Sequence, residues 1–127
     1  MRSGIRAVLV SGLAAALTAV PAWPAAANPR GGCPLGRICL YGDRGFTGNR
    51  QDLDGGQAGS CTPAATPVWS AVNRSGPRAG TAAYRLHLFR GSDCSQPAAT
   101  VAPDASREDT AGSRSWTLEC TGAAACR

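Results

Sequence analysis

The chain has 127 residues, a formal net charge of +5 and six cysteines, and its thirteen basic side chains are all arginine. A length of this order holds one domain, and the arginines are scattered, which argues against a nucleic-acid-binding element. An even cysteine count with no Cys-x-x-Cys pair and a single histidine favours disulfides over a zinc site.

Residues 1–27 read as an export signal. Arg2 and Arg6 give a positive start, residues 7–20 are almost unbroken apolar, and Ala25-Ala26-Ala27 offers a small-residue cleavage site before Asn28. The apolar run is short for a bilayer span and no second one follows. Residues 28–127 are therefore expected to be one secreted, extracellular domain without membrane insertion. That stretch contains every cysteine: Cys33, Cys39, Cys61, Cys94, Cys120 and Cys126.

Helical periodicity is nearly absent after residue 28, and Gly and Pro interrupt most windows. Short β-rich runs occur at 37–41, 50–53, 68–73, 84–89, 99–102 and 115–120, with 54–67 and 74–82 read as loops. Short strands with turn-rich spacers predict an all-β sandwich. There is also a worn repeat. Cys39-Leu40-Tyr41-Gly42-Asp43 returns in outline as His87-Leu88-Phe89-Arg90-Gly91, and Val68-Trp69-Ser70 as Arg114-Ser115-Trp116. Two four-stranded copies would make paired Greek keys.

The most specific stretch is Tyr41-Gly42-Asp43-Arg44-Gly45-Phe46-Thr47-Gly48, an aromatic-x4-aromatic-x-Gly run. A strand ending at Tyr41 folds back through a Gly-rich hairpin, Phe46 packs beside Tyr41, and Gly48 supplies a positive φ. Ser70, arriving on a later strand, can hydrogen-bond the folded hairpin. This pattern resembles the βγ-crystallin Greek-key motif. Cys33-Pro34-Leu35-Gly36-Arg37-Ile38-Cys39-Leu40-Tyr41 and Ser70-Ala71-Val72-Asn73-Arg74-Ser75 are similar to the secreted actinobacterial branch, that of the streptomycete metalloproteinase inhibitor family.

The resemblance implies a disulfide-stapled βγ-crystallin-like sandwich, with motif one at about 33–75 and motif two at about 84–120. It also implies a Cys33–Cys39 disulfide; the other four cysteines stay unassigned. By function it implies a peptidase inhibitor, with a metalloprotease or another extracellular protease as partner, acting as a monomer through a rigid loop. In that family the reactive segment is a disulfide-closed loop in the second half. The nearest candidate here is Thr121, Gly122, Ala123, Ala124 and Ala125, between Cys120 and Cys126. Motif two departs from the pattern, with Cys94 at the aromatic position and Gln96 in place of Gly.

Other functions would make different demands on the same residues. The calcium boxes of crystallin-like motifs fall on Ala65-Thr66-Pro67-Val68-Trp69-Ser70 and Thr110-Ala111-Gly112-Ser113-Arg114-Ser115. Neither opens with an acid or amide, so calcium is not expected, nor any other metal or cofactor. Glu108 and Asp109 lie just before the second box. A small secreted ribonuclease would need Glu, His and Arg together. His87 stands alone in a strand, on the face opposite Tyr84, Leu86 and Leu88, and no catalytic residue is assigned. Trp69 and Trp116 read as core or corner packing, and Asp52 and Asp54 as turn chemistry. A secreted toxin or cell-surface binding protein on the same scaffold is the alternative function.

Overall fold

The protein is described by a computed structural model over residues 31–76, 82–121 and 126. The stretch 1–27 read as an export signal, the centre of the loop read at 74–82, and residues 122–125 lie outside the described residues.

Eight strands run β1 Ile38–Asp43, β2 Thr47–Leu53, β3 Thr62–Val68, β4 Ser70–Asn73, β5 Tyr84–Phe89, β6 Pro97–Val101, β7 Ala105–Arg107 and β8 Ser113–Cys120. They form two antiparallel sheets of four, ordered β2-β1-β4-β7 and β3-β8-β5-β6. The two copies have exchanged their third strands. β3 leaves its own copy to pair with β8, and β7 crosses over to pair with β4. This is the βγ-crystallin-like sandwich that the Tyr41–Gly48 stretch implies.

The core follows from alternation. Leu86 and Leu88 of β5 point inward, fully buried, while Arg85 and His87 point out. Ile38, Leu40 and Ala71 of the first sheet meet Leu86, Leu88, Val101, Trp116 and Leu118 of the second. β1 is buried on both faces: its alternate residues Cys39 and Tyr41 join Cys33 and Val72 in a second cluster, flanked by Phe46. The chain before β1 thus covers the outer face of the first sheet, and the Cys33–Cys39 disulfide fastens it there.

The run read at 68–73 is two strands, broken at Trp69, whose N–H donates to the Tyr41 carbonyl and whose carbonyl accepts from Thr110. The loop read at 54–67 is corrected: it holds a 3-10 turn at Gly55–Gln57 and the strand β3. Thr62-Pro63-Ala64-Ala65-Thr66-Pro67-Val68 carries two prolines and little β propensity, and it is tolerated because β3 is an edge strand. Three-residue β7, an edge of the first sheet, leaves no periodic trace in the sequence.

Candidate functional site: loops pinned to the sandwich

Each copy folds one hairpin back onto the sandwich, and a buried serine pins it. In the first, Ser70 Oγ accepts from the Phe46 N–H at 2.9 Å and donates to the Asp43 carbonyl at 2.6 Å. Phe46 sits at φ 63° and Gly48 at φ 82°. The Tyr41 and Phe46 rings meet edge to face, centroids 6.1 Å apart.

The second hairpin repeats this arrangement without the aromatic or the glycine. Ser115 Oγ accepts from the Cys94 N–H at 2.9 Å and donates to the Gly91 carbonyl. Cys94 and Gln96 both sit at φ 58°, matching Phe46 and Gly48. The departure read in the sequence therefore changes the chemistry of the corner and leaves its backbone path intact. Cys94 replaces ring packing with a covalent link to Cys61, at the start of β3.

Disulfides fasten the remaining ends. Cys33 pairs with Cys39, closing a short loop whose residues 34–37 are exposed. Cys120 pairs with Cys126. Within the Cys120–Cys126 span, the Thr121 N–H and hydroxyl both donate to the Ala83 carbonyl, at 2.9 and 3.1 Å. Gly122, Ala123, Ala124 and Ala125, the rest of the candidate inhibitory loop, lie outside the described residues.

The first hairpin also docks on the loop before β8. Gly45 N–H donates to the Glu108 carbonyl at 3.1 Å, Arg44 bonds Asp109 at 2.9 Å, and the Arg44 guanidinium lies 4.4 Å over the Trp69 ring. One Asp109 oxygen takes Arg44 and the other the Ala111 N–H. Those bonds, the Ala111 amide first, hold its carboxyl below its ordinary range. The acid nearest the second calcium box is thus already committed to protein donors.

His87 is not alone in space. Its Nε2 lies 2.9 Å from a Glu119 oxygen and its Nδ1 3.2 Å from the Thr100 hydroxyl, with Arg85 3.4 Å from the same carboxylate. The hydrogen bond from His87, with the nearby Arg85 charge, lowers the Glu119 carboxyl. These groups satisfy one another on the outer face of the second sheet. Among the described residues, no group of three His, Cys, Asp or Glu side chains is placed to hold a metal.

Asn73 is the site residue whose role sequence reasoning did not see. Fully buried, it donates from Nδ2 to the Tyr84 and Val101 carbonyls of the opposite sheet and accepts from the Ser75 N–H and hydroxyl. In the sequence Asn73-Arg74-Ser75 stands within the run similar to the family ending, and nothing local there marks a buried bridge between sheets.

A family model described as Peptidase inhibitor family I36 matches residues 26–101. The chain belongs to that family. The match runs through the first hairpin and its Ser70 pin, then through β5 and β6 with the Cys94 corner, so the I36 region contains both pinned turns. Among solved structures, the chain is similar to Abundant Perithecial Protein from Neurospora crassa. That likeness has a TM-score of 0.42 and 8% identity, and covers 68% of this chain and 40% of that one. The I36 chain thus spans less than half the length of that protein. No curated protein matches it.

Proposed function

We propose that this member of the I36 family is a secreted, monomeric inhibitor of an extracellular protease, a metalloprotease foremost, acting through a rigid exposed loop. It needs no catalytic residue and no cofactor. The observation that supports this reading is the double fastening of the turns: two hairpins held by buried serine hydroxyls, with Cys33–Cys39 and Cys61–Cys94 closing the neighbouring loops. A loop already ordered loses little conformational freedom on docking, so more of its contact energy appears as affinity. Three disulfides also suit an oxidising, protease-rich exterior.

The test is a titration of the oxidised protein against a thermolysin-like metalloprotease and a subtilisin-like serine protease, following residual peptidase activity. Stoichiometric loss of activity in either is the expected outcome. Full activity in both, with the protein intact, would overturn the inhibitor reading and favour a toxin or cell-surface binding role for the same scaffold.

A further inference from the structure

We infer that the Cys33–Cys39 loop is the segment offered to the protease, with Leu35 as the side chain that enters an apolar specificity pocket. This deepens the inhibitor reading and rests on it.

Leu35 is the one large hydrophobic residue left exposed among the described residues, at 44%. It stands in a loop fixed at both ends. Cys33 on one side and Ile38, Cys39 and Leu40 on the other are buried, while residues 34–37 are exposed. The Arg37 N–H donates to the Pro34 carbonyl at 3.2 Å, and Gly36 lies at φ 84°, which makes residues 34–37 a type II turn with Leu35 at its leading corner. A Cβ built on Gly36 would meet nothing within 4 Å, so the apex is open to a partner.

Arg74 clamps the loop from below at three points. Its carbonyl accepts from the Gly36 N–H and its N–H donates to the Arg37 carbonyl, each at 2.8 Å. Its guanidinium donates to the Cys33 carbonyl at 2.7 Å. By contrast, no described residue hydrogen-bonds the N–H or carbonyl of Leu35. Those are the groups a protease pairs with when it takes a chain along its cleft. The exposed Arg37 is a poorer candidate, because its carbonyl is held by Arg74 and the next residue, Ile38, belongs to the core. The side chain on offer is therefore branched and aliphatic. The matching enzyme is a peptidase with an apolar primary pocket, such as a thermolysin-like or subtilisin-like enzyme.

The experiment measures inhibition of those two enzymes by the oxidised wild-type protein and by Leu35→Asp, Leu35→Ala and Leu35→Met. Leu35→Asp is expected to raise the inhibition constant by about 100-fold, as loss of a central anchor does, and Leu35→Met by only a few-fold. Unchanged melting temperatures would show that the variants are folded. On long incubation, any cut is expected at Pro34–Leu35 or Leu35–Gly36. The product gains one water and separates into two chains only after reduction of Cys33–Cys39. Wild-type inhibition that Leu35→Asp leaves unchanged, or a cut elsewhere, would overturn this assignment while leaving the inhibitor reading in place. Failure of the wild-type protein to inhibit either enzyme would overturn both.

Discussion

The hydroxyl of Ser115 accepts the backbone N–H of Cys94 at 2.9 Å, the same bond at the same length that Ser70 forms with Phe46. A thiol-bearing residue and an aromatic one occupy equivalent left-handed positions because the serine, and not the ring, dictates the turn. Both serines are fully buried.

Ser115→Ala and Ser70→Ala are each expected to destabilise the fold by about 1–3 kcal/mol, since each strands a backbone N–H and leaves a carbonyl unpaired. Urea unfolding would measure both. An effect confined to Ser70 would show that the second hairpin stands without its pin.

Gly48 and Gln96 make a reciprocal pair. A Cβ on Gly48 would lie 2.5 Å from the Asp43 carboxylate and 3.0 Å from its backbone nitrogen, at φ 82°. Gly48→Ala is therefore expected to destabilise the fold. Gln96 already carries a side chain at φ 58°, and Gln96→Gly is expected to raise stability by about 0.5–1 kcal/mol by relieving it. Thermal melts of the two variants should move in opposite directions.

The Cys61–Cys94 link joins residues 33 apart in sequence. Chain-entropy arguments give about 3–4 kcal/mol for a closure of that size, and less for the shorter Cys33–Cys39 loop, where the separation is 6. Paired replacement of Cys61 and Cys94 by alanine should lower the urea midpoint by a corresponding amount. Full reduction is expected to abolish the cooperative melt.

Acid should weaken the fold through three carboxyls whose folded values are depressed. They are Asp93, bonded by the Ser95 hydroxyl, Asp109, bonded by the Ala111 amide and Arg44, and Glu119, bonded by His87. The ionised form is the one these bonds favour. Their contribution is thus fully present above the ordinary values of 3.8 for Asp and 4.5 for Glu, and is lost as pH falls through the lower folded values. All three are exposed, so each effect is small. Melting temperature followed from neutral into acid should be flat and then decline, and Asp109→Asn should flatten part of that decline.

Asn73→Leu should be among the costlier single changes. It removes a donor from the buried Val101 carbonyl and the part-buried Tyr84 carbonyl, and an acceptor from Ser75, and a loss of about 2 kcal/mol is expected. A near-neutral result would mean that the two sheets do not need this bridge.

How far the sequence disclosed this structure depends on which forces leave a local trace. The strand Tyr84–Phe89 was legible residue for residue, because Leu86 and Leu88 alternate with Arg85 and His87. The Tyr41–Gly48 hairpin was legible because Tyr41, Phe46 and Gly48 fall within one eight-residue run, where their spacing can be read as a pattern. β3 was not, because its Pro-rich segment is a strand only by virtue of the β8 edge beside it. The partner of Cys94 could not be read either: Cys61 is brought near by the strand exchange, a long-range event that no local pattern records. Leu35 illustrates the reverse. Its place in the Cys33–Cys39 motif was plain, but its exposure became visible only when the residues on both sides proved to be buried.

The exchange of β3 and β7 bears on when this protein can fold. A chain made from its amino terminus presents β1, β2 and β4 early, yet β4 waits for β7 and β3 waits for β8. The amino-terminal half has no finished sheet of its own, only open edges that invite wrong partners. Cooperative folding is therefore expected only once β8, which ends at Cys120, has joined β3, and a chain truncated before β7 is expected to show no cooperative melt.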